Sequence, residues 1–302
     1  MRPKLMTCLA LMLAALSVRA NAGETPFSIL VGEPSWLPEA QAIARNLDHE
    51  NGLRIMPMLG KGAVQSVQDL EDFPSVDAAL LTGDSLSYVK GQNLLSPEES
   101  KITYIASVRQ VPIFLVAKRS IANVTALAGK KIATGAADTA SFASGELLLG
   151  SMEVPFLRVP QSQEAAVDAL LQGRADAAIF VGLPANFEKL AANFHALPMV
   201  VPAQLAKLYK PARLSSRESG NLVLANQQLE TVSTGLVLAV NEAAQSADHR
   251  RMLKAFEESY FHLPQNQASL DDIPDMPREA NAAALIKKLP LNPIITPTGA
   301  QP

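Results

Sequence analysis

The regular alternation of short apolar runs with helical patterns most strongly constrains the fold. Residues 27–31, 53–59 and 75–81 are apolar runs of strand length. A short loop of small or polar residues follows each run, and residues 39–47 and 64–70 then show the spacing of a helix with one apolar face. Strands and helices that alternate with short connections predict a parallel sheet covered by helices, so the expected fold class is α/β.

The second part of the chain repeats this pattern. A β-branched run at 131–134 leads through a small-residue loop into a helix that is expected to end at Gly150. Ser162 can cap a helix that runs to 171, and an apolar strand is expected at 175–181. The repeat predicts two lobes, each a mainly parallel sheet flanked by helices, with a ligand cleft between them.

Strand-like runs at 102–108, 111–117 and 232–240 are the expected passages between these lobes. Residues 202–230 are polar and are expected to be irregular. We therefore predict lobe I at residues 23–113 plus 231–302 and lobe II at 114–230, with boundaries placed to within about ten residues. Helices are also expected at 248–260 and 279–288, and the last ten residues are expected to be loosely attached.

Residues 1–22 have the pattern of a cleavable signal peptide. Arg2 and Lys4 precede a mostly apolar segment at 5–18, and Ala20-Asn-Ala22 fits a small-x-small cleavage site. The apolar segment is shorter than the about 20 residues that a membrane span needs. Export to the periplasm after cleavage behind Ala22 is the expectation.

The composition excludes several classes of function. Cleavage would remove three basic residues and no acid, which changes the formal net charge from −3 to −6. A mildly acidic chain has no electrostatic basis for binding nucleic acid or an anionic membrane surface. The only cysteine, Cys8, lies in the signal segment, so neither disulfides nor thiol catalysis is expected. We expect a monomer by default.

Enzyme signatures are also missing from the sequence. There is no Gly-x-Ser-x-Gly pentapeptide, no phosphate-binding Gly-Lys-Ser/Thr and no His-x-x-x-His pair. The four histidines are widely spaced, which disfavours a zinc site. The expectation is a binding protein that is not an enzyme and carries no cofactor or metal.

The expected ligand site combines loops at the carboxyl ends of the predicted strands. The small-residue loop before the helix that starts near 140 suits anion capture, because free N–H groups and the positive end of the helix dipole point out of it. The candidate ligand-binding residues are Ser35, Trp36, Lys61, Gly62, Gly83, Asp84, Arg109, Thr139, Ala140, Ser141, Phe142, Gly182 and Leu183.

The proposed roles have plainer alternatives. Hydroxyls of Thr139 and Ser141 would donate hydrogen bonds, Lys61 would supply charge and Trp36 would wall in the ligand. The same residues could instead cap helices, remain solvated or staple the first helix, and Asp84 could be an N-cap. Arg109 could reach the cleft or lie on the surface.

Five motifs in order resemble the TAXI family of periplasmic receptors, which serve TRAP-type transporters. Together they cover nearly all of the expected mature chain. The five motifs are Trp36-Leu-Pro, Gly60-Lys-Gly-Ala-Val-Gln-Ser, Val76-Asp-Ala-Ala-Leu-Leu-Thr-Gly-Asp, Leu127-Ala-Gly-Lys-Lys-Ile-Ala-Thr-Gly and Leu170-Leu-Gln-Gly-Arg-Ala-Asp-Ala-Ala-Ile-Phe-Val-Gly. The resemblance implies the type II periplasmic-binding-protein fold. It also implies capture of a small solute, with an organic acid or amino acid favoured, by hinge closure and delivery to a membrane permease.

Departures from the family leave a second hypothesis open. The family's Gly-Ser-Gly-Thr loop is Asp138-Thr-Ala-Ser141 here, which adds a negative charge and a methyl group where an anion would bind. Glu39 and Ala40 replace a pair of glycines. The alternative is an orphan receptor that presents an apolar or lipid-like ligand to a sensor or another partner.

Overall fold

The computed structural model describes residues 26–289, except for 97–100, 191–192, 224–226, 244–245, 265, 267–272 and 274–275. The predicted signal peptide and the last ten residues lie outside the described residues. The strands are β1 (Phe27–Val31), β2 (Ile55–Leu59), β3 (Ala78–Thr82), β4 (Ile102–Lys118), β5 (Lys131–Ala133), β6 (Leu157–Val159), β7 (Ala177–Val181), β8 (Phe194–Leu197), β9 (Lys210–Ser215) and β10 (Gln228–Asn241). The helices are α1 (Leu37–Leu47), α2 (Ala63–Asp72), α3 (Gly83–Gly91), α4 (Ala140–Ser151), α5 (Gln163–Leu171), α6 (Ser216–Ser219), α7 (Ala247–His262) and α8 (Ala280–Lys288).

The described strands form one sheet in the order β2-β1-β3-β10-β4-β7-β5-β6, with β9 also paired to β10 and β8 to β4. Two parts of it are parallel: β2, β1 and β3 at one end, and β7, β5 and β6 at the other. These are the two parallel units that the alternating pattern predicted. β1, β3 and β7 are buried along their whole length, as expected for parallel strands covered on both faces.

Two long strands join the parallel units. β4 has 17 residues and β10 has 14, and they pair antiparallel along most of their length. The register shifts twice, between Leu236 and Val237 and between Leu238 and Ala239. The two runs predicted at 102–108 and 111–117 are thus one strand. The lobe boundaries near 113 and 231 fall inside these strands and stay a prediction; lobe I and lobe II denote those ranges below.

Apolar side chains form a large core around the sheet and a smaller one in lobe II. The large core includes stacked rings of Phe27 and Phe256, 4.5 Å apart, which attach α7 to β1. The smaller core packs α5 and β7 together through residues such as Leu170 and Phe180. Within the described part of the chain, no helix is both long and apolar enough to span a bilayer.

Two local predictions are wrong. Residues 210–215 form β9 instead of an irregular segment, because they pair with the first half of β10. Gly150 does not end its helix, since α4 continues to Ser151.

Candidate functional site

The N-termini of α2 and α4 meet where the carboxyl ends of the strands approach each other. Gly62 precedes α2 and packs against the loop before α4, so closely that an added Cβ would lie 2.1 Å from the Asp138 carbonyl oxygen. That carbonyl accepts hydrogen bonds from the N–H groups of Val64 (2.9 Å) and Gln65 (3.2 Å). A lobe II carbonyl thereby satisfies the free donors at the start of a lobe I helix.

Glu33 makes the reciprocal contact from lobe I. It follows β1, and its Oε1 accepts a hydrogen bond of 2.7 Å from the backbone N–H of Ala140, the first residue of α4. The side chain is almost fully buried. Burial raises the pKa of Glu33 to about 7, against the opposing effect of the Ala140 and Ala63 N–H groups, and the carboxylates of Glu164 and Asp138 raise it further.

The two hydroxyls expected to bind a ligand make contacts within their own loop. Thr139 Oγ1 donates to the Ala136 carbonyl at 2.7 Å and accepts from the Phe142 N–H at 3.3 Å, which makes it the N-cap of α4. Ser141 Oγ lies 3.3 Å from Thr139 Oγ1. Gly135 has φ of +91°, and a Cβ there would collide with both hydroxyls. The capping alternative thus describes Thr139 in this structure, and its ligand-binding role stays a prediction.

Asp84 also lies in the contact between lobes. It is fully buried, and its Oδ2 accepts hydrogen bonds from Ser144 Oγ (2.5 Å) and the Tyr209 hydroxyl (2.9 Å), both in lobe II. Burial, and then the neighbouring Asp84 charge, raise the pKa of Tyr209. Phe142 packs edge-on against Tyr88 of α3, with ring centroids 5.7 Å apart. Helices α3 and α4 therefore close this side of the cleft.

A cavity of about 270 Å³ lies beside this contact, and we call it the Trp36 cavity. Five of the candidate residues line it, with three from lobe I and two from lobe II: Ser35, Trp36, Arg109, Gly182 and Leu183. The sequence prediction missed its other lining residues, which are Pro112, Phe114, Arg213, Leu214 and Glu218. Arg213 and Leu214 belong to β9 and Glu218 follows it, in the stretch 202–230 that was expected to be irregular. The basic residues of this stretch are its only sequence signal for a binding site.

The Trp36 cavity has a mixed lining: Trp36, Phe114 and Leu183 are among its non-polar residues, and Arg109, Arg213 and Glu218 are charged. Arg109 is paired with Glu39, whose Oε1 lies 2.7 Å from the guanidinium Nε, whereas Arg213 is exposed. Ser35 Oγ and Trp36 Nε1 are buried and have no hydrogen-bond partner among the described residues. Buried polar atoms are almost always satisfied, so two orphaned donors next to a cavity need an explanation.

The remaining candidate residues do not reach this cavity. Gly62, Asp84, Thr139, Ala140, Ser141 and Phe142 belong to the contact between lobes, and Gly83 is buried at the start of α3. Lys61 is exposed beside that contact. A larger hollow of about 590 Å³ lies in lobe I and is lined by Lys90, Lys101 and Arg278 among others, but it includes none of the candidate residues.

Residues 35–293 match the model of the NMT1-like family. The chain belongs to the NMT1-like family. This is a periplasmic solute-binding family, so the broader part of the sequence-based assignment is confirmed. No protein with curated annotation matches the chain.

Several solved structures are similar to this NMT1-like protein. PhnD1 from Prochlorococcus marinus (MIT 9301), solved with methylphosphonate, is 11% identical with a TM-score of 0.51, and the match covers 81% of this chain and 88% of that one. A mutant of ArgBP from T. maritima is 14% identical (TM-score 0.45; 87% and 94% covered). The alkanesulfonate-binding protein SsuA from Xanthomonas axonopodis pv. citri is 12% identical (TM-score 0.46; 80% and 76% covered).

The match to PhnD1 confirms the predicted fold class, a two-lobed α/β periplasmic binding protein. Among the residues that the structure describes, no group of three or more His, Cys, Asp or Glu side chains is arranged to hold a metal ion.

Proposed function

We propose that this protein captures a small organic solute in the Trp36 cavity, by closure of the two lobes, and delivers it to a membrane transporter from the periplasm. The observation that carries the proposal is the convergence of candidate residues. Ser35 and Trp36, Arg109, and Gly182 with Leu183 come from three distant segments and line one cavity. Because its walls come from both lobes, a solute there would make its full set of contacts only in the closed state.

The cavity's chemistry supports a solute with an apolar body and one hydrogen-bond acceptor or acid group. Phe114, Leu183 and Leu214 offer apolar contacts. Trp36 Nε1 and Ser35 Oγ are buried donors without partners among the described residues, and the exposed Arg213 supplies positive charge beside the negative charge of Glu218 in the same lining. A volume of about 270 Å³ is just below the range of about 300–1,000 Å³ for ligand pockets, which favours a small solute. An organic acid or an amino acid with an apolar side chain would fit these requirements.

The proposed partner is the membrane permease of a TRAP-type transporter. Its support is the resemblance of the five ordered motifs to the TAXI receptors. Release of solute to a permease needs lobes that can separate, and we propose β4 and β10 as the hinge because they are the long strands that join the two parallel units.

A thermal-shift screen over dicarboxylates, amino acids and apolar acids tests the proposal. A solute that raises the melting temperature is then titrated calorimetrically into the wild type and Trp36→Phe, which keeps an aromatic ring but removes the Nε1 donor. Loss of one hydrogen bond of about 1 kcal/mol should weaken binding about fivefold. Lys90→Ala, in the larger hollow, should bind as the wild type does. Equal affinities for all three proteins would exclude the Trp36 cavity.

A second candidate function is presentation of an apolar or lipid-like ligand to a sensor or another periplasmic partner. It is favoured by the apolar residues in the cavity lining and by Glu33, which occupies the helix N-terminus where a solute carboxylate was expected. Stabilisation by a neutral apolar solute, with no effect from any acid, would favour this function over capture of an organic acid.

A further inference from the structure

A carboxylate lies between the N-termini of two helices, and it belongs to the protein itself. Glu33 Oε1 is 2.7 Å from the Ala140 nitrogen at the start of α4. The N–H of Ala63, at the start of α2, also stabilises the ionised carboxylate. The two helices have 10 and 12 residues, so each directs a dipole at the space between them, and Glu33 and the Asp138 carbonyl accept hydrogen bonds from N–H groups of their first turns.

The space between the two helix N-termini encloses the Glu33 side chain closely. Glu33 is 5% exposed, and the groups that enclose it come from both lobes. Gly62 lies so close to the Asp138 carbonyl that a methyl group could not be inserted, which keeps the two helix ends in contact. A carboxylate with two acceptor oxygens suits donors that approach from two helices.

We propose that the space between the N-termini of α2 and α4 is a carboxylate-binding site whose resident ligand is Glu33, and that this internal ligand holds the lobes closed without a solute. The inference goes beyond the proposed function, since it requires nothing to bind in the Trp36 cavity. It also assigns Glu33 a role in specificity. An acidic solute could reach the Ala140 N–H only by displacing Glu33.

Two further contacts join the same surfaces without a solute. The Asp138 carbonyl accepts from the N–H groups of Val64 and Gln65, and Asp84 accepts from Ser144 and Tyr209. All of these bonds cross from one lobe to the other. Closure is therefore supported by the chain's own polar groups at the place where the sequence predicted solute contacts.

The contact should respond to pH. The groups that face Glu33 are the Ala140 and Ala63 N–H groups, the Asp138 carboxylate of the loop before α4 and the Glu164 carboxylate of α5. Burial raises the pKa of Glu33 from 4.5 to about 7, and opening of the lobes would return it toward its ordinary value. Closure of the lobes is therefore coupled to protonation of Glu33 at pH values between 4.5 and about 7. The closed state is favoured at low pH, and this contribution is lost as the pH rises through about 7.

Removal of the internal carboxylate should create a site for a small free one. At pH 5, where Glu33 supports the closed state, we expect Glu33→Ala to have a lower melting temperature that sodium formate or acetate partly restores, whereas sodium chloride at equal concentration does not. Wild-type protein should show no difference between these salts. Glu71→Ala is the matched control, because Glu71 accepts the Ser96 N–H within lobe I and spans no lobe contact. An acetate effect on Glu33→Ala no larger than on the wild type or Glu71→Ala would overturn the proposal.

Glu33→Gln tests the same idea if the alanine variant does not fold. Its amide oxygen can still accept from Ala140, so closure should persist, but no proton is taken up. Small-angle scattering should give wild-type protein a larger radius of gyration at pH 8 than at pH 5, and the variant the same radius at both. A wild-type radius independent of pH would contradict the inference. Both experiments are judged by the difference between Glu33 variants and the wild type, which share the Trp36 cavity, so failure here would leave the Trp36 cavity proposal unaffected.

Discussion

The lobe contact at α2 and α4 and the adjacent Trp36 cavity use polar groups in opposite ways. In the contact, the Glu33 carboxylate, the Asp138 carbonyl and the Asp84 carboxylate all have partners in the opposite lobe, whereas Asp138 Oδ1 is buried without one among the described residues. In the cavity, Trp36 Nε1 and Ser35 Oγ have none among the described residues. Satisfied buried groups stabilise a structure, whereas the two unsatisfied donors are buried in the cavity wall and would meet a ligand only after that wall rearranges. The comparison shows that a helix N-terminus suited to anions can be occupied by a carboxylate of the chain itself, here Glu33 at α4, while the proposed solute space is the separate Trp36 cavity.

The strongest test of this contrast is Gly62→Ala. Its Cβ would lie 2.1 Å from the Asp138 carbonyl oxygen, and neither backbone can yield without separating the lobes. We expect the closed state to lose about 3 kcal/mol, with a lower melting temperature and a larger radius of gyration. Gly150→Ala is the control, because nothing lies within 4 Å of the added methyl group. Equal behaviour of the two variants would show that the lobes are not in contact in solution.

Asp84→Ala should have the next largest effect. It leaves the Ser144 and Tyr209 hydroxyls buried without their shared acceptor, which should cost about 2 kcal/mol in unfolding free energy. Denaturant unfolding measures this change. Tyr209→Phe removes only one donor and should cost less. If Asp84→Ala weakened solute binding without a loss of stability, Asp84 would belong to the ligand site and the contrast between the two regions would fail.

The double variant Thr139→Ala with Ser141→Ala separates capping from binding. Loss of the Thr139 cap on α4 should lower the unfolding free energy by about 1 kcal/mol. Solute affinity should stay unchanged, because both hydroxyls lie outside the Trp36 cavity. Calorimetric titration beside thermal unfolding checks both expectations. If the free energy of solute binding fell by more than the free energy of unfolding, the Thr139 and Ser141 hydroxyls would be part of the solute site.

The smallest expected effect is that of Arg213→Gln at the edge of the Trp36 cavity. An exposed charge contributes weakly, so affinity for an acidic solute should fall by a few-fold, about 0.5–1 kcal/mol. Affinity for a neutral solute should not change. Lys210→Gln, a charge change on the same strand outside the cavity lining, is the control. The same loss for both kinds of solute would show that Arg213 acts through packing.

The strand and helix pattern was largely predictable because most elements bury an apolar face. β1, β3 and β7 are buried on both faces and read as continuous apolar runs. β9 was not recognised, because its sequence Lys-Pro-Ala-Arg-Leu-Ser has little strand character and is held by pairing with β10. β4 was divided in two because Arg109 and Gln110 interrupt its apolar sequence.

The candidate site was harder to predict, because its contacts join distant residues. Glu33 and Ala140 are 107 positions apart, and nothing in the local sequence shows that one will reach the other. The loop around Thr139 was correctly identified as the start of a helix, but local pattern cannot tell whether its donors will meet a solute or another part of the chain. Trp36 and Leu183 line one cavity because each follows a strand, where loops of both lobes approach the cleft; their contact with a solute stays a prediction.

In the proposed hinge, the pairing of β4 with β10 would determine how stiff the joint between the lobes is. The two strands are hydrogen bonded to each other across the joint, from Val232 opposite Ile113 to Asn241 opposite Ile102. Relative motion of the lobes must bend this ladder as a unit, since a free swivel would break several backbone hydrogen bonds. The bulged register near Leu236 to Ala239 lies where β10 also pairs with β3, whereas Thr234 and Gly235 pair with β4 alone. Amide exchange should therefore be slow along most of the ribbon and faster at Thr234 and Gly235, where bending disturbs the fewest strand pairings.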